Sequence, residues 1–232
     1  VTVRHAVYYA PSPDDPLWAA GCAWLGRDPA GGAVGPAPPI EGLAAITADA
    51  RGYGFHATLK PPMRVRDGVG RAEVVSALRA LAAGVPPFPL PPLAVTDFHG
   101  FLCLRETRES AALQALCDLM VAGLDHLRAP LTEAELARRR QRPLSALEEA
   151  NLRRWGYPDV FSLWFFHMTL TRRLRPEEMA VIRPVAESWF SDALAPPRVV
   201  GSVCLFEQVD AGPFRLTERV ALGGGAEGLL PG

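Results

Sequence analysis

Apolar positions recur with helical spacing in two stretches of this chain. Over residues 72–83 the set Val74, Val75, Leu78, Leu81 and Ala82 marks one helix face, and Gly84 supplies a stop. Over 110–127 the set Leu113, Leu116, Cys117, Met120, Leu124 and Leu127 marks a second, amphipathic helix. Strand composition instead marks 4–10, 53–60, 93–98, 101–105, 160–171, 199–209 and 214–222. Proline and glycine punctuate these runs. Pro11, Pro13 and Pro16 end the first strand, and Pro61-Pro62 should stop the second. Residues 28–39 read as a Gly/Pro-rich surface loop and 43–50 as a short helix. His99-Gly100 reads as a turn or bulge, and Asp210-Ala211-Gly212-Pro213 as the turn of a hairpin. Pro176 opens a further helix at its favoured first position, and Pro184 should kink or restart it. Between Thr132 and Trp155 the chain is polar, with two capping boxes, Thr132 with Glu135 and Ser145 with Glu148, divided by Pro143.

Laid side by side, the two halves repeat one order: a strand, a helix, then two strands. The expectation is a single bilobal α+β domain over residues 1–222, with lobe one at about 1–108 and lobe two at about 109–222. The helical stretch 132–155 has no counterpart in the first half and reads as an insertion. The Gly-rich tail, 223–232, is expected to be disordered.

Composition narrows the class. Hydrophobic residues make up 49% and charged residues 21% of the 232, which excludes a chain disordered throughout. No run of about 18 apolar residues exists, so no membrane span is expected, and the first residues do not read as a signal peptide. The net charge of −1 argues against a sequence-independent DNA binder. The four cysteines, Cys22, Cys103, Cys117 and Cys204, form no CxxC; they read as buried, reduced thiols of a cytoplasmic protein. Of 24 basic residues only one, Lys60, is a lysine.

One short pattern is written twice. Phe55-His56-Ala57-Thr58-Leu59 and Phe166-His167-Met168-Thr169-Leu170 share Phe-His-x-Thr-Leu. On a strand, His and Thr two apart point to the same face, and the intervening residues point to the other. Two such strands across a groove bring two imidazoles and two hydroxyls around one point. That set suits in-line displacement at phosphorus. One neutral His accepts a proton from the attacking oxygen, and the other, protonated, donates to the leaving oxygen. The Thr hydroxyls donate to the non-bridging oxygens as charge builds. The scheme needs no metal and no cofactor. The same alternation predicts Lys60 on the His56 face, as an ammonium facing the phosphorane. Tyr8 falls at the groove edge or in the core. His5, His99 and His126 read as structural or exposed, without metal-ligand spacing. The run Arg138-Arg139-Arg140-x-Arg142 reads as a solvated helix face or as an anion-attracting rim over the groove.

At these residues the chain resembles the 2H phosphoesterase superfamily, named for its paired His-x-Thr motifs. Flanking stretches at 4–11, 17–29, 54–62, 99–106, 153–158 and 166–174 look like a bacterial branch often encoded beside phosphonate-degradation genes. The resemblance covers roughly residues 4–222. It implies an RNA ligase-like α+β fold, two antiparallel sheets lining a central groove with helices outside. It further implies His56 and His167 as catalytic histidines and Thr58 and Thr169 as phosphate contacts. Lys60, from strand alternation, and Tyr8, from its place near the strands, are the further candidate substrate contacts. The expected activity is opening of a cyclic phosphodiester on a small ribose-derived or nucleotide substrate. An RNA-end-processing 2′,3′-cyclic phosphodiesterase, or a non-catalytic phosphometabolite-binding protein, are the alternatives. The expected partner is a small phosphorylated substrate, or an RNA terminus, with no DNA and no membrane. The insertion at 132–155 departs from the superfamily pattern.

Overall fold

The computed structural model describes residues 1–223; of the tail at 223–232, all but Gly223 lies outside the described residues. In chain order the elements are β1 (Val3–Tyr9), α1 (Pro16–Leu25), α2 (Leu43–Ile46), α3 (Ala48–Tyr53), β2 (Ala57–Met63), α4 (Arg71–Ala83), β3 (Phe88–Leu90), β4 (Leu93–Phe98) and β5 (Phe101–Glu106). There follow α5 (Ala111–Gly123), α6 (Glu133–Arg139), α7 (Ala146–Trp155), β6 (Met168–Arg173), α8 (Pro176–Leu194), β7 (Arg198–Val200), β8 (Ser202–Val209) and β9 (Arg215–Ala221). This is an α+β fold built on a seven-stranded antiparallel sheet, ordered β4-β5-β6-β2-β1-β8-β9, with a small β3-β7 sheet beside it.

The repeat seen in the sequence is real and longer than expected. Strand, helix, short strand and hairpin recur as β2-α4-β3-β4-β5 and β6-α8-β7-β8-β9. The two short strands pair with each other. The hairpins exchange sides: β5 pairs with β6, and β8 pairs with β1. Strand pairing therefore crosses the 108/109 division of the sequence. The large sheet is two antiparallel blocks, β4-β5-β6 and β2-β1-β8-β9, and the register between them is one residue pair, Ala57 with Met168.

Local chemistry explains most element ends. Asp15 caps α1 by accepting from the Leu17 amide (2.8 Å), Pro16 takes the first turn, and Gly26 closes it at φ 70. The sequence does not announce this helix, because Pro16 reads there as a breaker. Ser110 caps α5, and both capping boxes of the insertion form, on α6 and α7. Residues 125–127 make a separate 3₁₀ turn after α5. The helix after Pro176 runs unbroken through Pro184, so that proline neither ends nor restarts it; the lost hydrogen bond to Ala180 is the cost.

Two motif-strand expectations need correction. Residues 53–56 and 160–167 are not strand: Tyr53 ends α3, residues 161–163 form a 3₁₀ turn, and each strand begins one residue after its histidine. Pro61-Pro62 does not stop β2, which continues to Met63. Both prolines lie where two residues of β2 oppose one of β1, Ala6, between Val7↔Lys60 and His5↔Met63. A bulge releases backbone N–H groups from the ladder, so prolines are tolerated there.

The core lies under the sheet face that carries Ala57, Leu59, Met168 and Leu170, all fully buried. Helix α5 covers β2 on that face, and its Cys117 thiol meets the Leu59 carbonyl (3.1 Å). All four cysteines are buried and free.

Candidate functional site

Ala57 and Met168 are paired and buried on the same face of the sheet. Alternation then turns His56, Thr58, His167 and Thr169 to the opposite, partly open face. The antiparallel register sets Thr169 across from His56 and His167 across from Thr58, so the four side chains share one face of the sheet.

Both histidines are held in the same way. The His56 ring places Nδ1 2.9 Å from the Gly54 carbonyl, and the His167 ring places Nδ1 3.1 Å from the Phe165 carbonyl. Each carbonyl belongs to the residue two positions upstream and can only accept. Each Nδ1 therefore carries the proton, and each neutral ring presents Nε2 as an acceptor on the groove side. The His56 Nε2 lies 3.3 Å from the Thr58 hydroxyl, which donates to it in that tautomer. The imidazole of His56 stacks on Tyr8 at 3.7 Å between centroids, and Phe165 flanks His167 at 4.7 Å.

Burial sets the proton affinities. It pushes His56 down to about 4, against a small opposing pull from the Gly54 carbonyl, with the neighbouring His167 lowering it further. His167 is also lowered, first by burial, then opposed by the Phe165 carbonyl and reinforced by the charge of Arg105. In the ligand-free protein at neutral pH both rings are neutral.

Indole groups from each half brace the opposite motif. The Trp164 N–H donates to the Thr58 carbonyl (2.8 Å), and the Trp24 N–H donates to the Leu170 carbonyl (3.0 Å). Beside the histidines lies a cavity of about 180 Å³ bordered by Thr58, Tyr157, Asp159, Trp164, Phe165 and His167.

Lys60 is a correction. It is 2% exposed, on the face opposite Thr58. Tyr8 pairs with Thr58 and Val7 with Lys60, so Leu59 is an extra residue in β2. That bulge breaks the alternation and turns Lys60 to the Val7 side. Its ammonium donates to the Val121 carbonyl (2.9 Å) and lies 3.9 Å from Asp125. Burial lowers its pKa to about 8, opposed by Asp125. Tyr8 is fully buried beneath His56 and supports that ring from within the core. His5 is buried against Glu207 (3.3 Å), His126 is exposed, and His99 occupies its turn at φ 50. Among the described residues, no group of three or more His, Cys, Asp or Glu converges to hold a metal ion. Nor, among them, is any helix long and apolar enough to cross a membrane.

Arg105 was missed in the sequence. On β5 it lies two residues from Cys103, which pairs with Thr169, and so it shares the groove face. Its guanidinium sits 4.6 Å over Phe98 and 5.3 Å over Phe165, and its buried Nε has no hydrogen-bond partner among the described residues. Alternation from Cys103 could have flagged it, had the pairing of β5 with β6 been known.

The insertion reaches the wall of the cavity beside the histidines at Tyr157. Arg139, at the end of α6, lies 4.2 Å over the Tyr157 ring. Its neighbours in the arginine run are engaged elsewhere: Arg140 with Glu149 (2.6 Å) and Arg142 with Glu148 (2.6 Å).

Comparison with known proteins gives two relatives named "Ribose 1,5-bisphosphate phosphokinase PhnN". The one from Janthinobacterium sp. (strain Marseille) is 37% identical over 234 residues, covering 97% of this chain and 52% of the relative. The one from Laribacter hongkongensis (strain HLHK9) is 37% identical over 225 residues, covering 95% of this chain and 52% of the relative. The chain thus spans about half the length of the curated relatives it matches. Similar solved structures include E. coli LigT complexed with 3′-AMP, at 16% identity and TM-score 0.44, covering 96% of this chain and 99% of that one. The protein TT0787 of Thermus thermophilus has 16% identity and TM-score 0.45, covering 97% and 99%. A family model described as "Protein of unknown function (DUF1045)" matches residues 58–215, well over half of the sequence, and the chain belongs to that family.

Proposed function

We propose that this protein is a two-histidine phosphoesterase that opens a cyclic phosphodiester on a small ribose-derived or nucleotide substrate. The observation that carries the reading is the matched pair of imidazoles. Each has Nδ1 bound to a carbonyl two residues upstream, and each turns Nε2 toward the same groove beside a threonine.

His56, the more strongly depressed of the two, serves as the general base. It accepts a proton from water as the oxygen attacks phosphorus. The P–O bond to the sugar breaks opposite, and protonated His167 donates its proton to the leaving oxygen. The product is an acyclic phosphomonoester. Thr58 and Thr169 donate to the non-bridging oxygens. His167 has to gain its proton on binding, and the negative charge of the bound ester raises its affinity for one.

The relatives' name supports a ribose phosphate as the substrate class. Their phosphokinase activity has no P-loop counterpart in this chain. A P-loop needs G-x-x-x-x-G-K-[ST], whereas Lys60, the only lysine, follows Thr58-Leu59 and precedes Pro61. We assign that activity to the half of the relatives that this chain does not span.

The test is hydrolysis of 2′,3′-cyclic mononucleotides and of ribose 1,2-cyclic phosphate in the presence of EDTA. Turnover that persists in EDTA and disappears in both His56→Ala and His167→Ala is the expected result. Full activity in either variant overturns the scheme. Faster turnover of a cyclic-phosphate-ended RNA oligomer than of either small ester moves the substrate to RNA ends. Tight binding without turnover makes the protein a phosphometabolite binder.

A further inference from the structure

We propose that the groove contains a second anion subsite, formed by Arg4 and Arg139 around Tyr157, so that the ester bound at the histidines carries a second, terminal phosphate group. The substrate class rests on the reading above; the subsite itself does not.

Most guanidinium groups in this part of the molecule already hold carboxylates. Arg64 meets Glu135 (2.9 Å), Arg128 and Arg154 share Asp125 (2.7 and 2.8 Å), and Arg140 and Arg142 meet Glu149 and Glu148. Arg4 and Arg139 differ. Among the described residues neither has a carboxylate within ion-pair distance. Arg4 donates from both Nε (2.7 Å) and Nη2 to one neutral partner, the Gln208 side-chain carbonyl, and lies 5.4 Å over the Phe214 ring. Arg139 lies over the Tyr157 ring and its only polar partner there, among the described residues, is that neutral tyrosine, so its charge is not matched by a carboxylate. A terminal phosphate is the group that two guanidinium charges without a carboxylate partner recognise best.

Position links the two arginines to the reaction centre. Arg4 and Tyr8 are four apart on β1 and so share a face, and Phe214 lies near both. Tyr8 in turn carries the His56 ring. Arg4, Arg138, Arg139 and Tyr157 line one cavity, and Thr58, Tyr157 and His167 line the next. The two cavities share Pro61, Tyr157 and Val160 as their common wall. Tyr157 thus stands in the wall between the cavity of the arginines and the cavity of His167, which suits two phosphate groups on one small scaffold. The insertion supplies half of this subsite, which gives residues 132–155 a role that the paired motifs lack.

The experiment reads binding, so it does not depend on turnover. Adenosine 2′-monophosphate and adenosine 2′,5′-bisphosphate are titrated calorimetrically into the protein at one ionic strength. The bisphosphate is expected to bind at least tenfold more tightly. That gap should shrink at least threefold in Arg139→Ala, a half-buried helix-end position that tolerates truncation, and in Arg4→Met. A gap below tenfold, no binding of either probe, or a gap that survives both substitutions overturns the proposal. A dinucleotide carrying a diester in place of the terminal phosphate is the third probe. If it matches the bisphosphate, the site reads an RNA backbone and the small-substrate claim fails. If cyclic esters are not turned over while the binding gap stands, the reaction is wrong and the subsite holds.

Discussion

The ring of Phe55 occupies the space that a side chain at Gly21 would need. Gly21 lies inside α1, and Phe55, fully buried, immediately precedes His56. In an unconstrained helix interior, Gly→Ala stabilises by up to about 1 kcal/mol. Here the added methyl falls within the ring, and overpacking of that kind costs about 1–3 kcal/mol. Gly21→Ala is therefore expected to lower stability in urea unfolding and to slow turnover, because relief of the clash moves His56. Adding Phe55→Leu should restore much of the stability. A stabilised Gly21→Ala protein would sink this account of the packing.

Acid should weaken the fold before its carboxylates titrate. His56 binds protons in the unfolded chain near 6.5 but in the folded protein only near 4. Between those values the unfolded state holds more protons, so stability falls as pH falls through that window. His167 and His5 are lowered too and act with the same sign. Glu135 and Glu178, held near 2 by Arg64 and Arg172, lose their contribution only at lower pH, from about 4.5 downward. Between pH 7 and pH 4.5, His56 is expected to account for about 2 kcal/mol, discounted for its solvent-facing edge. Urea midpoints of wild type and His56→Gln across that range measure it. Equal losses in the two proteins would assign the effect elsewhere.

The same depression sets the activity profile. kcat/KM reports the free protein, in which the reactive form has one neutral and one protonated imidazole. With both affinities lowered, the maximum should lie on the acid side of 6.5 and decline toward pH 9. A profile flat from pH 6 to pH 9 would contradict two-histidine catalysis.

The motif strands were legible because alternation is a local property: four residues sufficed to separate His and Thr from Ala, Leu and Met. The order of strand, helix and hairpin in each half was legible for the same reason. What escaped was set by pairing between distant segments. The Leu59 bulge depends on how β2 aligns with β1, and it alone sends Lys60 into the core. The exchange of hairpins, which carries Arg105 to the groove face beside β6, depends on contacts that no window of the sequence contains. Helix α1 was hidden by Pro16, which acts there as a first-turn residue rather than a breaker.

Lys60 now has a structural role that can be measured. Removing its ammonium leaves the Val121 carbonyl without its donor, while Asp125 retains Arg128 and Arg154. Lys60→Met is expected to cost about 1–3 kcal/mol, the price of one unsatisfied buried acceptor. Turnover of cyclic esters should stay within twofold of wild type once the protein is folded. A large drop in kcat without loss of stability would return Lys60 to the reaction centre.

Arg105 is expected to matter for the reaction itself. Its guanidinium is clamped over Phe98 and Phe165, its buried Nε has no partner among the described residues, and its charge bears on His167. A phosphate oxygen beside His167 would accept from that Nε, in the position where charge grows as the ring is broken. Preorganised donors of this kind contribute on the order of a hundredfold in rate. Arg105→Ala should lower kcat/KM by about that factor, and Arg105→Lys should recover only part of it, because an ammonium cannot stack and point a fixed N–H together. Removing the positive charge should also raise the His167 pKa, visible as an upward shift in its imidazole NMR titration. A merely structural Arg105 would lose stability in the Ala variant yet leave kcat/KM of the folded fraction unchanged, and that result would exclude it from the site.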